Sequence, residues 1–318
     1  MKLSEGQIVR EPVAASEGYW AGAPGFFYSA DEPAWYMTYR IRRPRGVEPD
    51  RGGEARIARS TDLQNWTDIW SVQKNAYGTA SIERSAIRKG PDEFWRYFTS
   101  YVDPADGRWC VAVIRGTDPG AFDTKGVKKI LTAAPLGLEG VKDPWIMERE
   151  KRFYMFLSVA TATERTSGKS HSTLDIYNTG ECVSATGLAV SDDLEKWEWK
   201  GVIFQPDKPG WDGYCRRINS VVESNGKYIG FYDGSAGHHE NYEEKTGIAV
   251  SEDLLHWRSM TLQGPAYISP FASHSLRYID AQICGGEAVI AYEVARSDAA
   301  HELRLLRMPR KEFDSSFA

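Results

Sequence analysis

Cysteine is scarce in this chain, and where it falls excludes two classes of protein. Cys110, Cys182, Cys215 and Cys284 are scattered and include no Cys-x-x-Cys pair. Neither a disulfide framework nor a thiolate zinc site is therefore expected, and the thiols read as buried and free. There is no run of Lys and Arg that would track a phosphate backbone, and the net charge is -5, so nucleic acid is not an expected partner. No apolar stretch approaches membrane-spanning length, and no membrane partner is expected. The opening MKLSEGQIVREPVAA lacks an apolar signal core, which gives a cytoplasmic expectation. Helical periodicity is missing from every long window. The adjacent histidines in Gly237–Glu240 have no third ligand at useful spacing, so no metal or other cofactor is expected; the segment reads first as a solvated loop and next as a substrate contact through His239.

Aromatic residues, by contrast, are plentiful: 12% of 318 residues, with 11 Trp. Such a chain packs aromatics between layers or offers flat faces to a ligand. One string is written three times: ARIARSTDLQNW (55–66), GLAVSDDLEKW (187–197) and GIAVSEDLLHW (247–257). A worn copy, VIRGTDPGAF (113–122), fills the gap between the first two. A second string keeps the same beat. Short aromatic and β-branched strands begin at Trp35, Phe94, Phe153, Tyr228 and Val289, each preceded by another strand across a tight turn such as SNGK. The one long step is filled by the polar segment Thr161–Gly180.

Five repeats of roughly 60 residues, each several strands long, predict an all-β, five-bladed β-propeller in a single domain. Its blades are expected near 20–70, 78–125, 140–200, 211–260 and 266–310, with Glu302–Met308 closing the ring. A motif present in several blades is structural. Asp62, Asp193 and Asp253 are expected to hold turn amides, and Trp66, Trp197 and Trp257 to pack on neighbours.

In a propeller the first strand of each blade lines the central channel, and its start faces one mouth. The five starts read GAP (22–24), ERS (83–85), KDP (142–144), RIN (217–219, after Arg216) and HSL (274–276). Charges converging there must pair or serve a ligand. Glu83 and Asp143 form the expected carboxylate pair, and Asp212 is the next candidate acid. Asp233 and Glu240 are further carboxylates on blade four. Arg84, Arg216, Arg217 and His274 are expected to bind an anionic group. Trp20, Trp145, Trp211 and Tyr214 flank the mouth as candidate stacking faces. The loop Arg40–Glu54 is expected to overhang it.

The run DPWIMEREKRFYMFLS followed by AVSDDLEKW resembles the blade signature of the five-bladed glycoside hydrolases of families 32, 43, 62 and 68, together with the family 130 mannoside phosphorylases. That resemblance implies three catalytic carboxylates: an Asp on blade one, an Asp before Pro on blade three, and a Glu on blade four. Asp143 matches the second. Ala23 stands at the first position and Arg217 at the third. The expectation is a glycoside hydrolase acting on a small or anionic glycoside. The alternatives are a phosphate-using phosphorylase and a non-catalytic sugar-binding propeller.

Overall fold

The computed structural model describes residues 1–317, and nearly all of its regular structure is strand. The strands fall into five antiparallel groups. The first is β2 (Trp20–Ser29), β3 (Ala34–Arg43), β4 (Arg51–Ser60) and β5 (Thr67–Gln73). The second is β6 (Ala86–Lys89), β7 (Trp95–Val102), β8 (Trp109–Gly116) and β9 (Lys128–Leu131). The third is β10 (Gly140–Arg149), β11 (Arg152–Ala162), β12 (Cys182–Ser191) and β13 (Glu198–Phe204). The fourth is β14 (Cys215–Ser224), β15 (Lys227–Ser235), β16 (Lys245–Ser251) and the two-residue β17 (Arg258–Ser259). The fifth is β18 (Leu276–Cys284), β19 (Glu287–Ala295) and β20 (His301–Pro309), with the N-terminal β1 (Gln7–Arg10) added beside β20.

The outermost strand of the last group therefore comes from the start of the chain. The segment Glu302–Met308, expected to close the ring, is the third strand of its own group. Its strand β20 meets the first group by the single parallel bridge Trp20↔His301, and Leu303 and Leu305 pack with Ala21, Phe26 and Met37. One helix, α1 (Arg310–Ser315), follows it. No helix among the described residues is long and apolar enough to cross a membrane.

Apolar cores lie between the groups. Tyr36 and Ile57 pack with Trp95 and Tyr97 across groups one and two. Phe98 and Val113 meet Met155 and Leu157 across two and three. Trp145 and Phe156 meet Val221 and Tyr232 across three and four. Phe231 meets Ile279 and Ile290 across four and five, and Met37 meets Ala291 and Leu303 across five and one. Each group is thus apolar on both faces, which explains strands that read as almost continuous hydrophobic runs.

The thrice-written string ends the third strand of groups one, three and four. In each copy the Ser hydroxyl accepts from the Leu N–H at 2.9 Å. The Asp carboxylate accepts from the N–H groups two and three residues on, at 2.8–2.9 Å. The Leu residues adopt left-handed φ (Leu63 64°, Leu194 64°, Leu254 69°), a conformation that branched side chains avoid unless a turn imposes it. Trp197 packs edge-on against Phe98 of group two, and Trp257 against Phe156 of group three. Trp66 contacts Phe26 within its own group. The SNGK turn has Asn225 at φ 51° and Gly226 at φ 75°, the twin left-handed pair of a two-residue hairpin.

Candidate active site

The five inner strands share one irregularity. In β2, β10, β14 and β18 the pairing slips by one residue, so that three residues face two on the neighbouring strand. The second group repeats it: Glu83 N–H bonds Ser100 O, while Ala86 pairs with Phe98. The slips place Gly22, Glu83, Lys142, Arg217 and Arg277 in equivalent positions, with Ala23, Arg84, Asp143, Ile218 and Tyr278 next in line. Three of these bulge residues are left-handed without being glycine: Ala23 (52°), Asp143 (56°) and Tyr278 (53°). Each such residue stores about 1–3 kcal/mol of strain, and strain of this kind concentrates at functional sites.

Asp143 is 3% exposed. Its N–H donates to Ser100 Oγ (3.0 Å), and its Oδ1 accepts from Arg84 N–H (3.2 Å). Its Oδ2 lies 3.7 Å from Lys142 Nζ and accepts no hydrogen bond. Burial pushes this carboxyl up, but the charges of Lys142, Arg217 and Arg40 prevail and hold it below the usual range. Lys142 is buried over the rings of Tyr177 and Trp109 and also faces Glu83 Oε1 (3.9 Å). Burial draws its ammonium down to about 8. Glu83 is ion-paired with Arg40. Asp233, directly opposite Arg217, behaves in the other direction. It is fully buried, its Oδ1 accepts from Tyr278 N–H (3.0 Å), its Oδ2 has no partner, and burial pushes it up to about 6.

A chain of alternating charge continues from there. Arg217 pairs with Glu244, and Glu244 with Arg277 (2.5 Å). Arg277 pairs with Glu293 (2.7 Å), and Glu293 with His301 (2.7 Å), which also contacts Glu243 (2.9 Å). Glu293 Oε2 accepts from the N–H of Ala23 (3.0 Å), so a backbone amide occupies the carboxylate where the resemblance implies an Asp.

Three segments, from the start of β4, the Thr161–Gly180 insertion and the β15–β16 connection, bond to one another beside these charges. Arg51 donates to Leu174 O (3.3 Å) and Asp175 Oδ2 (3.4 Å). Tyr242 OH donates to the same Asp175 oxygen (2.8 Å), and Asn241 Nδ2 to Asn178 Oδ1 (3.2 Å). The polar insertion Thr161–Gly180 therefore supplies Asp175 and Tyr177 to the site. The segment Arg40–Glu54, expected to be a loop, begins in β3 and ends in β4, with Arg40, Arg51 and Glu54 buried.

The other candidates are distributed differently. Arg84 reaches Pro24 O of the first group (2.8 Å), Asn219 O of the fourth (2.8 Å) and Asp280 of the fifth (3.3 Å). Trp145 Nε1 donates to the same Asp280 (3.1 Å), and the ring lies in the core between groups three and four, so neither residue presents a free face. Asp212 and Arg216 form a two-pronged pair (2.8 and 3.2 Å) completed by Tyr232 OH (2.8 Å), and none of their hydrogen bonds reaches the ring. Trp211 stacks on Tyr232, and Tyr214 OH donates to Tyr177 O (2.6 Å). Trp20 is buried against His301. Glu240 accepts from Ala236 N–H, and His239 is exposed on its loop.

His274 is exposed and turned back on Ser269 O (3.0 Å). The inner-strand position of the fifth group belongs to Arg277, three residues later, because the bulge and not the first charged residue sets the register. Arg277, Glu244, Glu293, Asp280 and Asp175 were missed in the sequence. Four of them lie outside the starts of the inner strands, where no sequence motif pointed. These carboxylates overturn one argument made from sequence. Arg84, Arg216 and Arg217 each have an acidic partner, so they do not leave an excess of positive charge for a ligand to neutralise.

Neither a known family profile nor a curated protein matches the sequence. The fold does have relatives. A thermostable family-43 glycoside hydrolase superposes with a TM-score of 0.63 at 16% identity, over 94% of this chain and 92% of that one. A GH32 β-fructofuranosidase from Bombyx mori gives 0.61 at 15%, over 96% of this chain and 64% of the other. A β-1,2-mannobiose phosphorylase from Listeria innocua gives 0.60 at 12%, over 99% and 96%. The fold implied by the blade signature is the fold found: this chain is built as the family 43 and family 32 propeller glycosidases and the mannobiose phosphorylase are built.

Proposed function

We propose that the five strand groups are blades of one closed propeller and that the chain is a glycoside hydrolase working at the ring around Asp143. The observation that carries this is Asp143 itself. It is a buried carboxylate on a strained bulge, with one oxygen met only by the longer 3.7 Å contact of Lys142 and with three cations keeping it charged.

Glycoside cleavage needs a proton donor for the leaving oxygen and a carboxylate facing the sugar. Two acids whose surroundings push them in opposite directions supply those roles. Asp233, kept protonated up to about pH 6 by burial, is the acid. Asp143 is the nucleophile or charge stabiliser. Glu83, engaged by Arg40, orients Lys142 against Asp143. The cover formed by Tyr242, Asp175 and Arg51 must part to admit the sugar, because Asp143 and Arg217 are almost wholly buried in this state.

The test is release of sugar from aryl glycosides and oligosaccharides, with and without inorganic phosphate. Release without phosphate that disappears in Asp143→Asn supports hydrolysis. Sugar 1-phosphate formed only with phosphate replaces hydrolysis by phosphorolysis, a reading favoured by the likeness to the mannobiose phosphorylase. Binding without turnover at every pH makes the protein a sugar-binding propeller, as Ala23 and Arg217 in place of carboxylates would allow.

A further inference from the structure

Arg40 and Arg42 stand two residues apart on β3. Arg40 meets Glu83. Among the described residues no carboxylate pairs with Arg42, and no protein acceptor takes one of its five N–H groups, although the residue is half-buried. Two rings hold it. Its guanidinium carbon lies 4.0 Å from the centroid of Trp20 and 4.5 Å from that of Tyr242, and the rings are 6.4 Å apart. Both rings are themselves fixed, Trp20 by stacking on His301 at 4.5 Å and Tyr242 by its bond to Asp175. Aromatic contact orients a guanidinium without using its hydrogen-bonding edge.

The surroundings make this position costly without a counter-ion. Burial, then the nearby charge of Arg40, pulls Arg42 down to about 10, and Arg277 adds to the repulsion. Tyr242 and Asp175 are the neighbours that oppose this. Donors without acceptors gather beside it: the buried Nε1 of Trp20 and Nε of Arg40 have no partner. Unmatched donors around a fixed cation call for an acceptor that the protein does not supply.

We infer that Arg42 receives an oxyanion at the mouth of the Asp143 site, either a carboxylate carried by the sugar or free phosphate beside it. This rests on the ring being a glycoside site and adds the class of group that the ligand brings. It moves the anion-binding role from Arg84, Arg216 and Arg217, which are already paired, to a residue that the sequence did not single out.

Isothermal titration, with tryptophan fluorescence as a second readout, compares galacturonate and glucuronate with galactose and glucose, and adds inorganic phosphate as a competitor. The uronates are expected to bind more tightly than their neutral counterparts. Arg42→Met should remove that preference, weakening uronate binding roughly ten- to a hundredfold with little change for the neutral sugars. Arg42→Lys should restore part of it. Phosphate that binds in an Arg42-dependent way, without any preference for uronates, identifies the oxyanion as phosphate. Equal loss for acidic and neutral sugars in a variant that melts like wild type would overturn the inference, as would the absence of any preference for an oxyanion in the wild type. The two readings fail separately. Turnover of glycosides by a wild type that shows no preference for an oxyanion leaves the enzyme standing and removes the anion site. Arg42-dependent uronate binding without turnover does the reverse.

Discussion

Asp280 and Asp143 are both buried aspartates facing arginines near the axis of the same molecule, yet they are held in opposite ways. Asp280 Oδ2 accepts from Phe26 N–H (2.8 Å) and Arg84 (3.3 Å), and its Oδ1 from Trp145 Nε1 and Gln282 Nε2 (both 3.1 Å). Arg84 in turn donates to carbonyls of groups one and four. That network joins strand groups and leaves no side-chain polar atom of Asp280 or Arg84 without a partner. Around Asp143, one layer away, Asp143 Oδ2, Asp233 Oδ2, Arg217 Nε and Arg40 Nε all lack partners. Residue type does not separate a bolt from a site. Hydrogen-bond saturation does, because an unmatched buried polar atom is a cost that a bound ligand or an ordered water must remove.

The largest effect should come from breaking the saturated layer. Asp280→Ala strands Arg84 without its counter-ion and leaves three donors unmet, a loss of about 3–5 kcal/mol or more. A thermal melt should fall by roughly 10 °C, or soluble protein should disappear. A melt within a few degrees of wild type would erase the contrast between the layers. Next in size is the unsaturated layer. Asp143→Asn should cut turnover by several orders of magnitude while the melting temperature stays near wild type or rises. Collapse of the fold with full specific activity in the surviving protein would make Asp143 a second bolt.

Asp233 sharpens the comparison through pH. Its folded-state pKa is raised above its ordinary value of 3.8 to about 6. The folded protein therefore holds this proton more tightly than the unfolded chain does. Its stabilisation is complete below about pH 4 and is lost as pH rises through 6, on the order of 3 kcal/mol in all. Asp233→Asn should remove that dependence, so that the variant gains on wild type in melts taken from pH 4 to pH 7. Parallel curves would mean that the carboxyl titrates normally. The smallest effect belongs to the repeated turn. Asp193→Ala frees the N–H groups of Glu195 and Lys196 to solvent and should cost about 0.5–1 kcal/mol, a shift of about 2 °C, with activity untouched. Loss of activity there would show that the motif does more than turn the chain.

The all-β architecture and its beat of roughly 60 residues were written in the sequence. Strand pattern, the Asn225-Gly226 turn and the Ser-x-Asp-Leu-x-x-Trp cap are local codes, each satisfied within a few residues of itself. The candidate Asp143 was legible for the same reason, as an Asp before Pro at the start of a strand. What the tertiary structure alone decided was who faces whom. Glu293 lies 270 residues from the Ala23 amide that it accepts, and Asp280 lies 196 from Arg84. No local pattern marks Glu244 as the partner of Arg217, or leaves Arg42 with none. Charge balance among the inner strands is a sum over all five strand groups, and it exists only once those groups have been brought together.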